Sequence, residues 1–243
     1  MLVQQAHGVK DWLKHHNNPS LRRLFRLLKA VRACDLPTPK ILNKFIGALY
    51  GVTSSLVSNV TRVLIHTPAF KGKLDGYGRG LYLFGGVPFV SGPLSITLGN
   101  DCRVSGQTTF SARPQSVHPQ LIVGSNVDIG WQSTIAVGHK ILIGDNVRIA
   151  GRAFLFGYSG HSLDPVLRAE GQADLDVDVG DIILEKDVWL GTNVTVCPNV
   201  TIGEGTIVGT GSVVTKSLPP FVVAVGNPAK IVKQLNGNGG RHA

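Results

Sequence analysis

The chain has 243 residues, 43% of them hydrophobic, and a formal net charge of +9. That length supports one large domain with an appendage, or two small domains, each able to bury a core. Cys34, Cys102 and Cys197 are odd in number and far apart, which argues against both a disulfide framework and a cysteine zinc site. The first twenty residues lack a signal-peptide core, and no apolar run approaches the roughly 18 residues of a spanning helix, so a cytoplasmic protein is expected.

The charge is unevenly placed. Residues 1–90 carry thirteen Lys and Arg against three Asp, a balance of +10, while the remaining 153 residues carry eleven against twelve, a balance of −1. The basic excess therefore belongs to the N-terminal third, and this third is expected to meet a different partner from the rest.

Within it, "NPSLRRLFRLLKAVRAC" predicts an amphipathic helix with Ser20 as N-cap. Leu21, Leu24, Phe25, Leu28 and Val31 fall on one face, Arg22, Arg23, Arg26 and Lys29 on the other. After a "DLPTPK" break, Ile41, Phe45, Leu49, Val52, Leu56, Val60 and Val63 predict a second amphipathic helix over 41–66. Such basic helices either dock on a neighbouring element or lie on anionic lipid through 20–66, at the inner face of the membrane. No nucleic-acid reading motif accompanies the charge, so nucleic acid is not expected as a partner. Residues 1–66 thus form a basic helical segment, and residues 67–97, with "YGRGLYLFGGVPF", a connecting segment of irregular coils and a cap.

From residue 98 the chain counts in sixes. Leu184, Leu190, Val196, Ile202, Val208 and Val214 recur at a constant step that neither a helix, at 3.6, nor a simple strand, at 2, produces. A short strand plus a corner does, because one small aliphatic per unit points inward. Leu98, Val104 and Phe110, then Val123, Ile129 and Ile135, then Ile143, Ile149 and Leu155 keep the same step. Grouped in threes they predict five coils of a three-sided prism of parallel strands over 98–226, followed by a tail over 227–243. Every insertion falls after the third side, so all loops should leave one corner.

The largest insertion, residues 156–183, interrupts the count with "GYSGHSLDPVLRAEG" and carries His161, Asp164 and the acidic run Asp174, Asp176, Asp178 and Asp181. A prism lined by small aliphatics has no reactive group on its flat sides, so chemistry has to come from such a loop or from a subunit seam. The acidic run reads as a solvated loop face. Asp164 either orients the histidine ring or turns the loop before Pro165, the turn being the stronger reading.

"IGDNVRIAG", "DVWLGTNVTVCPNVTIGEGTIVGTGSVVTKSLPP" and "VGNPAKIV" resemble the hexapeptide-repeat acyltransferases, in particular the galactoside and maltose O-acetyltransferase branch, over about residues 98–235. The resemblance implies an all-β core in the form of a left-handed parallel β-helix with an N-terminal helical segment. It also implies a homotrimer, and transfer from acetyl-CoA, bound between adjacent subunits, to a hydroxyl of a sugar or of an envelope or lipid-linked glycan. No metal is required. It places His161 as general base, a role for which an imidazole is suited because it titrates near neutrality. Trp189, Gln132 and Asp164 fall to the acceptor pocket. The donor groove falls to Thr192, Thr210, Thr215, Lys216, Lys230 and Lys233, the last two standing where the family has arginines. A backbone amide at Thr192 is also a candidate oxyanion donor.

The acceptor side departs from the pattern. Gly130 stands where the sugar acetyltransferases have an asparagine, and Gly138 near their acidic contact. Galactoside or maltose is therefore not carried over as the acceptor. A serine acetyltransferase, a zinc hydratase using His118, His139 and His161, and a non-catalytic trimer anchored by its helices are the competing readings.

Overall fold

The computed structural model describes Trp12, residues 14–35 and residues 37–236; the outer ends of the predicted N-terminal segment and C-terminal tail lie outside them. The chain divides into two compact units after Ser54.

In the first unit, helix α1 spans Pro19–Arg32. The cap is Asn18 rather than Ser20: its side-chain oxygen accepts the Ser20 N–H at 2.9 Å. Pro19 explains the shift, since a residue with no N–H and a preset φ fits the first helical position and moves the start two residues back. Helix α2, Lys40–Thr61, runs from the first unit into the second, where it leads into a π-helical turn over Arg62–His66 and then α3, Thr67–Lys71. No side chain of α1 or α2 is buried. None of the described helices is long and apolar enough to cross a membrane.

The second unit is a parallel β-helix with three faces. The first coil, β1 Gly76–Tyr77, β2 Tyr82–Phe84 and β3 Phe89–Ser91, lies within the segment read as irregular coils. The second is β4 Ser95–Leu98, β5 Arg103–Ser105 and β6 Thr109–Ala112. The third is β7 Gln120–Val123, β8 Asp128–Ile129 and β9 Thr134–Val137. The fourth is β10 Lys140–Ile143, β11 Arg148–Ile149 and β12 Phe154–Phe156. The fifth is β13 Ile182–Leu184, β14 Trp189–Leu190 and β15 Thr195–Val196. The sixth is β16 Val200–Ile202, β17 Ile207–Val208 and β18 Val213–Val214. A seventh begins with β19 Val222–Val225, against which β20, Lys230–Gln234, turns back antiparallel.

The register follows the sixes residue by residue. On the first face Leu98, Val123, Ile143, Leu184 and Ile202 are stacked partners. On the second Val104, Ile129, Ile149, Leu190 and Val208 stack likewise. On the third the column is Phe110, Ile135, Leu155, Val196 and Val214. All fifteen are at most 2% exposed, so these columns are the core. Smaller side chains at the corners complete it, and their hydroxyls are used: Thr206 Oγ1 donates to Pro219 O at 2.7 Å and accepts the Val222 N–H at 3.3 Å.

Two corners are tight and uniform. In all five predicted coils, six residues separate the inward positions across the first–second corner, as they do across the second–third. The turn is made by residues in the left-handed region, Asp101, Asn126, Asn146 and Asp187 at one corner and Gln132, Arg152 and Asn193 at the other. At the first of these corners Asn126 donates to Asn146 (2.8 Å) and Asn146 to Asp187 (2.9 Å), a side-chain ladder along the edge. The third–first corner takes up all the variable length, as the sequence predicts, with loops at 113–119, 138–139 and 157–181.

Candidate active site

The long loop at the third–first corner is anchored by a pair the sequence reading missed. Arg113, at the same corner two coils earlier, donates from Nε to Asp174 Oδ1 (2.7 Å) and from Nη2 to the Asp174 carbonyl (2.8 Å). Its Nη1 reaches the exposed Asp176 at 2.6 Å. The Arg113 and Asp174 side chains are 4% and 0% exposed. The other oxygen of Asp174 accepts the N–H groups of Ser159 (2.9 Å) and Gly160 (2.8 Å). Burial alone would raise the Asp174 pKa, but the Arg113 hydrogen bond and charge and the Gly160 and Ser159 amides outweigh it and hold the carboxyl below its ordinary value. The acidic run is therefore not uniformly a solvated face.

This clamp fixes the backbone next to His161. Ser159 Oγ donates to the His161 carbonyl at 3.0 Å, so the residues before and after the turn at Gly160 are tied together while the imidazole stays exposed. Below it a short helix, α4, spans Pro165–Ala169. Asp164 caps α4, accepting the Val166 N–H at 2.7 Å and the Leu167 N–H at 3.1 Å. Its carboxylate thus serves the loop turn. Arg168 closes the same segment by donating to the carbonyls of Ser162 (2.9 Å) and Leu163 (3.1 Å).

The remaining candidates separate into groups. Thr215 and Lys216 follow β18 at the third–first corner, the edge that carries His161, and both are exposed. Gln132, Thr192 and Thr210 lie along the second–third corner, where Gln132 adopts φ 56° and the Thr192 carbonyl accepts the Gly211 N–H at 2.9 Å. Trp189 points outward from the second face, 52% exposed, in register with Arg148 on one side and Ile207 on the other. Lys230 and Lys233 are exposed on β20, at the end of that face. Within one chain these residues do not form a single pocket. They occupy two edges of the prism and the face beyond.

Two departures have a steric cause. A Cβ at Gly130 would lie 2.6 Å from Gly151 N, and one at Gly138 would lie 2.4 Å from Val179 Cγ1 and 2.6 Å from Gly157 O. A side chain at either position would require the backbone of the adjoining coil to shift, so glycine fits this local packing. His118, His139 and His161 do leave the same corner, but no group of three ligand-type side chains is brought together among the described residues.

Residues 181–216 match the family model described as bacterial transferase hexapeptide (six repeats). In sequence the chain is 37% identical over 120 residues to a galactoside O-acetyltransferase of Escherichia coli, covering 46% of this chain and 56% of that protein. It is 42% identical over 118 residues to a polysialic acid O-acetyltransferase of Escherichia coli O1:K1, covering 46% and 37%. A serine acetyltransferase of Buchnera aphidicola is 27% identical over 203 residues, covering 80% and 70%. The chain therefore spans between about a third and somewhat over half of the length of the first two relatives. In structure it is similar to AntD, an N-acyltransferase from Bacillus cereus solved with dTDP and 3-hydroxybutyryl-CoA, with TM-score 0.57, 22% identity, and coverage of 70% of this chain and 88% of that one. Register, coil and matched segment together make this chain a hexapeptide-repeat β-helix protein, similar in sequence to the acetyltransferases built on that repeat.

Proposed function

We propose that the protein transfers an acetyl group from acetyl-CoA to a hydroxyl of a sugar or glycan, with His161 as general base. One observation carries the reading: a clamp of buried charges, Arg113 with Asp174, is devoted to fixing the two amides before an exposed imidazole. Pairing two buried charges is costly unless every hydrogen bond is made, and here the pair holds the backbone that carries the imidazole. The named O-acetyltransferase relatives support the class of reaction.

The chemistry requires removal of the acceptor hydroxyl proton as its oxygen attacks the thioester carbonyl, and return of that proton to the leaving thiolate. His161 supplies both steps. The division of candidate residues between two edges supports a site built at a seam, the His161 edge of one protomer meeting the Gln132–Thr192–Thr210 edge of the next, in a homotrimer. Lys216, Lys230 and Lys233 are then the cations for the phosphates of the coenzyme, acting as point charges.

The exposed apolar side of α1, opposite Arg22, Arg23, Arg26 and Lys29, supports a location at the inner face of a membrane. Sedimentation with anionic but not neutral vesicles tests that location.

The deciding experiment is thiol release from acetyl-CoA across a panel of sugars and lipid-linked glycans, with L-serine included. His161→Ala should abolish release, by at least about a hundredfold, the lower range for loss of a general base, while the coil melts as before. Turnover retained in that variant refutes the role, and release with serine alone replaces the sugar by the serine reading.

A further inference from the structure

The groove at the head of the β-helix is far from the third–first corner loop in sequence and is not used by the reaction above. It has a volume of about 610 Å3 and is lined by Arg62, Val63, Thr67, Pro68, Lys71 and Tyr77, among others. That size falls in the range of small-molecule sites.

Two of its polar atoms are left free beside a break in the helical ladder, while Arg62 Nη2 donates to Asn59 Oδ1 at 3.4 Å. Pro68 has no N–H to continue the helical ladder, and the π-helical turn over Arg62–His66 directly precedes it, with the Thr67 N–H reaching back five residues to the Arg62 carbonyl. Thr53 and Thr61, in α2, return their hydroxyls to the carbonyls four residues earlier, at 2.8 and 2.9 Å. The Thr67 hydroxyl, past the shifted ladder, has no partner although the atom is buried, and the same holds for Arg62 Nε. Such turns recur at functional sites.

The two cations are held in place without being neutralised. The Arg62 guanidinium lies 4.5 Å from the Tyr82 ring centre and Lys71 Nζ lies 4.5 Å from that of Tyr77. Among the described residues neither has a carboxylate within ion-pair distance. A ring orients a cation but leaves its charge available, unlike a carboxylate.

We propose that this groove binds a phosphate ester. Two cations together with the Arg62 Nε and Thr67 donors match the three or four acceptor oxygens and the charge of a phosphoryl group, whereas a carboxylate offers only two oxygens. Val63 and Pro68 at the margin give the ester's organic part an apolar contact.

Titration calorimetry of the full chain tests this with glycerol phosphate, with short-chain phosphatidic acid below its micelle concentration, and with the matching diacylglycerol. Both phosphate probes should bind and diacylglycerol should not; equal affinity of the two identifies a free phosphate ester, and tighter binding of the acylated one a lipid headgroup. The Arg62→Gln/Lys71→Gln variant should lose affinity by at least about tenfold, the scale of charge-assisted hydrogen bonds. In the wild-type chain glycerol phosphate should also protect Lys71 from an amine-modifying reagent, a measurement independent of whether the variant folds. No binding of either phosphate probe, unchanged affinity in the double variant, or unprotected Lys71 overturns the proposal.

Discussion

Replacing Asp174 by asparagine keeps the size of the side chain and removes its charge. In the native loop the two oxygens of Asp174 face three donors, Arg113 Nε and the N–H groups of Ser159 and Gly160. An amide presents a donor to one side or the other, so at least one of those contacts becomes donor against donor. Breaking a buried ion pair costs about 3–5 kcal/mol. Arg113 keeps the Asp174 carbonyl and the exposed Asp176, which argues for the lower end, about 3 kcal/mol. At about 1.4 kcal/mol per tenfold, that raises the opening constant of the loop roughly a hundredfold. Amide hydrogen exchange is the assay: protection at Ser159 and Gly160 should fall by that factor, while Leu155 and Leu184 in the adjoining strands keep theirs. The sign of the pH effect is also fixed. The folded pKa of Asp174 lies below its unfolded value, so the clamp contributes fully above the unfolded value and is lost as pH falls through the folded one. Wild-type protection should therefore be full above the ordinary carboxylate value, decline as pH falls through it and be lost below the folded one, and the Asp174→Asn variant should lack that acid transition. Unchanged exchange at both amides would refute the reasoning.

Leu155→Ala removes a fully buried side chain stacked between Ile135 and Val196, and urea unfolding should show a loss of about 2–5 kcal/mol. Thr206→Val strips a buried hydroxyl from the Pro219 carbonyl and the Val222 amide, and the same assay should show about 1–3 kcal/mol despite the matched shape. Asp164→Ala removes the cap of α4; exchange at Val166 and Leu167 should rise with a local cost of about 1 kcal/mol, and global stability should stay constant.

The coil is legible because each hexad places one aliphatic inward, and a register of that kind survives without any knowledge of contacts. The first coil is harder to read: Gly76 and Tyr77 form its shortest strand, and although Tyr77 and Leu83 keep the step, the next register position is Val90, one residue late. The helix start at Asn18 is easily misplaced because Ser20 has the same capping chemistry and only Pro19 decides between them. Arg113 with Asp174 is out of reach by residue type alone, since the partners are 61 positions apart and an aspartate within an acidic stretch reads as solvated. Yet the rule that every insertion leaves one corner already places their two loops on one edge, with only the short 138–139 turn between them, and a lone arginine in the first loop is the available signal. The π turn gives no sign, because its sequence continues the helical pattern through Val60 and Val63.

Length can be added to this molecule cheaply along one edge only. At the two uniform corners a residue in the left-handed region must sit directly over its neighbour, so a single extra residue would unseat the column above and below it. At the remaining edge an enlarged excursion costs little more than closing a bigger ring, about 0.6 kcal/mol for each doubling. New segments should thus be tolerated beside the exposed Val117 and rejected beside Asn193, and excursions on that edge are bound to become neighbours, which is how Arg113 came to hold Asp174 and Asp176 of a distant stretch.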